Sequence, residues 1–312
     1  MKLDLKRVLK NYGIVFAFFL VCFILSWLSP VFLHWTNILN IIRQSSIYGI
    51  MAIGMTFVIL TGGIDLSVGS ILAFAGAVAA GMLKANAPLG LVIVTAIAIG
   101  AVLGLINGLI ITVGRITPFV TTLGMMSIAR SLTLIYCNGY PISGFGAAFR
   151  FIGGGDLFGI PFPIVVFLLT VLCAWVILAE TRLGRYTYAI GGNEETVRLS
   201  GIRTHAYKMA VYVVSGVTCG FTALILTSRL NSAEPVAGTG YELDVIAAVV
   251  IGGTSLSGGR GGVWGTLVGA LLIAVINDGM ILLGISPYSQ QLVKGLIIIG
   301  AVLLDRLREE PS

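Results

Sequence analysis

The sequence predicts an all-α fold: a polytopic transmembrane helical bundle of about ten spans, with broken or re-entrant segments and an inverted repeat. Three observations carry that expectation. Of 312 residues, 57% are hydrophobic and only 10% are charged, where a soluble domain has roughly 25% charged residues. Apolar runs recur at about the 20 residues that a helix needs to cross the hydrocarbon. Lys and Arg gather in alternate gaps between those runs, as they do in cytoplasmic loops. A soluble chain of this size needs polar cover over its surface; a chain facing lipid does not.

The first run, 13–33, follows Lys2, Lys6, Arg7 and Lys10. It is too long for a signal-peptide core and no small-x-small cleavage site follows, so it reads as a retained helix. The later runs are 45–61, 66–83, 88–113, 117–137, 162–180, 208–229, 241–257, 263–283 and 287–304. Helices are required because lipid offers backbone amides no partner. Three joints are tight: TGGIDLSVG between the second and third runs, Gly114-Arg115-Ile116-Thr117-Pro118 between the fourth and fifth, and GGTSLSGGRGG between the eighth and ninth. Spans that meet at such joints are the ones expected to be broken or re-entrant. Two stretches fall outside the membrane, the Gly-rich 138–161 as an external loop and the polar 181–207 as an internal one. The whole, 1–312, reads as one transmembrane domain with possible inverted halves 1–161 and 162–312.

With the N-terminus inside and the spans alternating, most of the 19 Lys and Arg lie on the cytoplasmic side, among them Arg115, Arg182, Arg185, Arg198, Arg203, Lys208, Arg260, Arg306 and Arg308. Arg43, Lys84, Arg150 and Arg229 lie outside, and Arg130 and Lys294 lie within spans. Both termini are therefore expected in the cytoplasm. Intramembrane Arg and Lys default to function, although both could snorkel or pair in the bundle.

The repeat rests on GAVLGLINGLIITVGRITPF from Gly100 and GALLIAVINDGMILLGISPY from Gly269. They share a Gly-Ala start, Asn107 against Asn277, Gly114 against Gly284, and Thr-Pro-Phe against Ser-Pro-Tyr. Ile64-Asp65-Leu66 and Leu243-Asp244-Val245 add a weaker echo. An offset of five spans gives the copies opposite orientation, the arrangement that places a substrate path between halves near the midplane.

Three strings stand out. In TGGIDLSVG, Gly62 and Gly63 break the helix, and Asp65 and Ser67 sit where the next one starts; an Asp there can cap exposed amides. In GTGYELDVIAAVVIGGTSLSGGRGG, Glu242 and Asp244 precede an apolar run and glycines surround a small polar cluster. It is no phosphate loop, because Gly-Lys-Ser/Thr occurs nowhere in the chain, so any ATP is handled by another polypeptide. In TRLGRYTYAIGGNEETVRLSGI, Gly191 and Gly192 break the chain, Asn193 can cap, Glu194 and Glu195 suit a first turn, and Gly201 can end it. The result is a short polar helix between spans, the best partner-docking candidate, with Arg198 on it.

Several classes fall away. The net charge of +6 marks topology, since no basic stripe with interleaved aromatics calls for nucleic acid. Cys22, Cys137, Cys173 and Cys219 are scattered without CxxC spacing, so neither a disulfide nor a metal site is expected. His34 and His205 lie outside the spans and far apart. No nucleophile constellation assembles, so no catalytic residues and no cofactor are expected.

With those residues in view, the chain resembles the ribose-type sugar permeases of bacterial ABC importers. The likeness runs nearly the whole length and is strongest in AIGMTFVILTGGIDLSVGS, TRLGRYTYAIGGNEETVRLSGI and GTGYELDVIAAVVIGGTSLSGG. It implies a subunit of the cytoplasmic (inner) membrane, surrounded by lipid and paired with a second permease copy or a related permease. A cytoplasmic ATP-binding-cassette ATPase would drive it, and a periplasmic or lipid-anchored binding protein would deliver a small neutral sugar. The ATPase would seat on the segment Gly191, Gly192, Asn193, Glu194, Glu195 and Arg198. Candidate substrate-path residues, chosen for polarity at membrane depth and for the repeat, are Ser67, Asn107, Thr117, Phe119, Thr121, Thr122 and Asn277. A branched-chain amino acid ABC permease and an ion-coupled secondary transporter are the alternatives. The second would need paired intramembrane carboxylates, and the topology puts Asp65 and Asp244 at opposite faces.

Overall fold

The structure, a computed structural model, describes residues 5–309. Lys2 lies outside them, as do the side chains of Lys6, Arg7, Lys10, Arg306 and Arg308. Twelve helices form among the described residues: α1 (Leu5–Leu28), α2 (Trp35–Leu60), α3 (Val68–Lys84), α4 (Leu89–Thr112), α5 (Pro118–Cys137), α6 (Ala147–Gly154), α7 (Phe162–Glu180), α8 (Arg182–Leu199), α9 (Thr204–Leu230), α10 (Tyr241–Ile251), α11 (Val263–Leu282) and α12 (Pro287–Glu309). Two-residue strands β1 (Ile142–Ser143) and β4 (Ser232–Ala233) pair antiparallel, as do β2 (Asp156–Leu157) and β3 (Ile160–Pro161).

Every apolar run of the sequence falls on a helix. Six of these, α2, α4, α5, α7, α9 and α11, are long and apolar enough to cross a membrane, with shorter apolar stretches at Gly13–Leu28 and Val68–Lys84. The run 241–257 differs from expectation: α10 stops at Ile251, and 11 residues rise only about 16 Å. That is half of a hydrocarbon core, so α10 does not span alone. The cause is the glycine series that begins at Gly252, whose partner Gly253 takes φ +89°.

Helices α2 and α9 form the centre and pack against each other; α4 lies on α9, and α11 lies on α2. Helix α3 packs on α4, α5 and α9, while α10 packs on α11, α12 and α2. Residues Ser45 to Leu60 of α2 are buried without a break, the mark of a helix enclosed on all sides. Helices α4 and α9 cross closely. A Cβ on Gly100 would sit 2.0 Å from the Gly216 carbonyl oxygen, and one on Gly104 would sit 2.2 Å from that of Tyr212. Gly100, Gly104 and Gly108 recur every four residues, the small-residue spacing that lets membrane helices approach closely.

The stretch 138–161, read as a loop, is more structured than that. Helix α6 docks on α9: the Ser228 hydroxyl donates to the Phe149 carbonyl at 2.6 Å and accepts from the Gly153 amide at 2.7 Å. Asn138 and Asn231 end α5 and α9 in the left-handed conformation, which asparagine tolerates better than most residues. All four cysteines are free.

Candidate functional site

The most polar buried point lies where α2 gives way to α3. The α2 helix ends at Thr61, whose amide and those of Gly62 and Gly63 turn back to Val58 and Ile59 carbonyls. Gly62 takes φ +74°, and Gly63 leaves room for the Tyr212 hydroxyl, which a Cβ would meet at 2.5 Å. Asp65 is fully buried. Its Oδ1 accepts from the Ser67 amide at 3.0 Å and from the Ser67 hydroxyl at 2.5 Å. Its Oδ2 accepts from the Ser215 hydroxyl of α9 at 2.9 Å. Asn107 of α4 donates to Ser67 Oγ at 2.9 Å, and Thr122 of α5 donates to the Ile64 carbonyl at 3.2 Å. The carboxylate thus caps a local turn, as the sequence allowed, and also ties the helix break to α9. Ser215 and Tyr212 escaped notice because a lone Ser or Tyr in an apolar run carries no positional signal.

The sequence echo of this site lies on α10. Asp244 of α10 accepts from Lys294 Nζ of α12 at 2.8 Å, with side-chain exposures of 2% and 24%. Asn277 of α11 lines the same small space. The space holds about 10 Å³, far too little for a sugar. Lys294 therefore pairs within the bundle. Arg130 does so too, donating to the Pro235 and Ala237 carbonyls at 2.8 and 2.7 Å.

Of the candidate path residues, Ser67, Asn107, Thr121, Thr122 and Asn277 are buried between helices. Thr117 and Phe119 are exposed, Phe119 by 55%. They open an outward face of α5 that continues through Gly124, Ser127 and Ser131, all exposed. Ser127 and Ser131 were not singled out in the sequence; only the helix phase set by the buried Met125, Ala129 and Thr133 shows that they point outward.

The polar segment 181–207 forms α8, which is interrupted at Asn193 (φ −162°, ψ 99°). Its first arm, before the break, is helical where the sequence reading had only a loop. Asn193 Oδ1 accepts from the Thr196 amide at 2.9 Å and so caps the second arm. Gly201, at φ +81°, ends it, its amide donating to the Arg198 carbonyl at 3.0 Å. Arg198 donates to both Glu195 oxygens at 3.0 and 2.6 Å, which holds that carboxyl below its usual range. Lys208 of α9 donates to Glu194 at 2.9 Å. Beside this arm an open cleft of about 550 Å³ is lined by Arg115, Thr117, Glu194, Arg198, His205 and Lys208, among others.

Six helices long and apolar enough to cross a membrane, tied by buried polar contacts and with a capped polar helix between α7 and α9, fit a multi-pass membrane protein. The chain belongs to the family described as branched-chain amino acid transport system / permease component, whose family model matches residues 37–302. It is 50% identical over 301 residues to the ribose import permease protein of Bacillus subtilis (strain 168), covering 96% of this chain and 94% of the relative. It is 46% identical over 308 residues to that of Escherichia coli (strain K12), covering 97% and 96%. Its identity to that of Haemophilus influenzae is 49% over 293 residues, covering 93% and 91%. No solved structure matches the chain.

Proposed function

We propose that this chain is the permease subunit of an ATP-binding-cassette importer and carries ribose across the inner membrane by alternating access. The observation that carries the reading is the identity of 46% to 50%, over nearly the full length, to ribose import permeases. A separate ATPase supplies the energy, and a binding protein delivers the sugar. The second arm of α8, with Glu194, Glu195 and Arg198, seats on the ATPase; its cap at Asn193 and its exposed Glu195–Arg198 pair support that role. Both termini then lie in the cytoplasm.

Two copies form the path. Thr117, Ser127 and Ser131 give α5 a hydroxyl-bearing strip on an exposed apolar face, which suits a neutral polyol passing between protomers, with Phe119 beside it. The buried Ser67, Asn107, Thr121, Thr122 and Asn277 hold the helices around that path. The groups α2–α5 and α9–α12 are inverted copies. Exchanging them maps α4 on α9 to α11 on α2, and α3 among α4, α5 and α9 to α10 among α11, α12 and α2, which matches the packing. An ion-coupled carrier is disfavoured, because Asp65 is already held by Ser67 and Ser215 and Asp244 already has Lys294.

The test is uptake of labelled ribose by cells carrying the permease, its ATPase and its binding protein, with the ATPase active site intact or disabled. Uptake only with the intact ATPase is expected. Uptake that survives the disabled ATPase would replace the importer by a secondary carrier, and ATP-dependent uptake of a different sugar alone would move the substrate.

A further inference from the structure

We infer that Gly191, Gly258 and Gly259 are positioning residues for transport: they form a backbone-to-backbone joint that carries movement of the docking arm to both halves of the bundle. The inference rests on the docking role proposed above for α8. At this joint the α2 C-terminus, the first arm of α8 and the α10–α11 loop meet around one atom, the Leu60 carbonyl oxygen. The Gly259 amide donates to it at 2.9 Å, supplying a partner to a carbonyl that the end of α2 leaves free. A Cβ on Gly191 would lie 1.8 Å from the same oxygen and 2.3 Å from the Gly259 nitrogen. A Cβ on Gly258 would lie 2.9 Å from the Gly191 Cα and 3.0 Å from the Gly62 nitrogen. These neighbours are backbone and cannot swing aside.

Gly191 is helical and has no positive φ. Alanine favours a helix more than glycine does, so only the close approach demands glycine. Gly90 of α4 is also helical without a positive φ, has nothing within 4 Å of its Cβ direction and serves as the control. The Tyr188 hydroxyl donates to the Gly261 carbonyl at 3.0 Å, a second tie between the first arm and the loop. The second arm holds α9 through Glu194 and Lys208. One element thus grips the ends of both central helices, α2 through the glycine joint and α9 through the ion pair.

The experiment compares Gly191→Ala with Gly90→Ala in the complete importer, reading copurified ATPase, ribose uptake, and ATP hydrolysed per sugar imported. Gly191→Ala is expected to keep its ATPase but to raise the ATP-per-sugar ratio at least tenfold, while Gly90→Ala stays within twofold of the parent. A Gly191→Ala importer with an unchanged ratio overturns the joint. Failure of the docking role is read separately, as ATPase that stays bound after charge reversal of Glu194, Glu195 and Arg198. Should Gly191→Ala fail to assemble, a second arm decides. Gly192→Cys with Arg260→Cys, both lining one cleft, is bridged by a short thiol reagent in a chain freed of its four cysteines. A joint that moves as one body keeps transporting when bridged; transport that stops on bridging and returns on release of the bridge overturns it.

Discussion

Replacing Lys294 by methionine removes a charge from one of the least hydrated points of the chain. The Asp244 side chain is 2% exposed and its Oδ2 lies 2.8 Å from Lys294 Nζ. Methionine keeps the length and apolar stem of lysine, so packing changes little and the loss is electrostatic. Breaking a buried pair by removing one partner costs about 3–5 kcal/mol, because the other charge stays behind uncompensated. At about 2 °C per kcal/mol, the lower end of the range for large domains, the midpoint of thermal unfolding falls by about 6–10 °C. The assay is thermal unfolding of the detergent-solubilised protein for Lys294→Met, Asp244→Asn and the double variant. The double variant is expected to regain at least half of the single variant's loss, since asparagine matches the shape of Asp244 and leaves no lone charge. A double variant no more stable than Lys294→Met alone would refute the claim that the two side chains are coupled.

Other expectations follow from the same geometry. Asp65→Ala deletes three hydrogen bonds to a buried carboxylate, each worth about 1.5–3 kcal/mol, and should lower the unfolding midpoint more than Asp65→Asn, which retains the shape. Gly104→Ala forces a methyl against the Tyr212 carbonyl; overpacking of this kind costs about 1–3 kcal/mol, visible as a lower yield of monodisperse protein. Asn193→Ala removes the cap of the second α8 arm, about 1 kcal/mol of helix stability. It should weaken ATPase copurification, and Asn193→Asp should restore it. Ser127→Leu and Ser131→Leu leave the fold intact and lower the rate of ribose uptake; uptake unchanged in both would remove α5 from the path.

Much of this was legible in the sequence, for reasons that differ by element. The apolar runs announced themselves because lipid permits few alternatives to a helix. The second arm of α8 was legible to the residue, since Asn193, Glu194, Glu195 and Gly201 are local signals for a helix start and stop. The length of α10 was not, because Ile251 and Gly252 continue an apolar pattern and only the turn itself ends it. Polarity at membrane depth drew attention to Ser67, Asn107, Thr122 and Asn277, yet a polar group there is satisfied either by substrate or by another helix, and composition does not separate the two. The tie from Asp65 to Ser215 joins residues 150 positions apart. No window along the chain contains both. The α4–α9 crossing was half visible: Gly100, Gly104 and Gly108 are regularly spaced, but their partner helix is set by the whole packing.

The enclosure of α2 bears on how the chain is made. Ser45, Ser46 and Thr56 are buried on it, and Thr56 shares a 2.7 Å hydrogen bond with Thr266 of α11. Helix α2 leaves the ribosome well before the helices that surround it. At about 5–20 residues per second, the interval from Leu60 to Thr204 lasts on the order of ten seconds. During that time α2 has neither α9 nor α11 beside it, and its faces turn toward lipid or toward whatever insertion machinery keeps hold of the nascent chain. A ribosome that stalls before Thr204 leaves behind a helix that cannot be finished, and rapid turnover of such fragments is the expected fate.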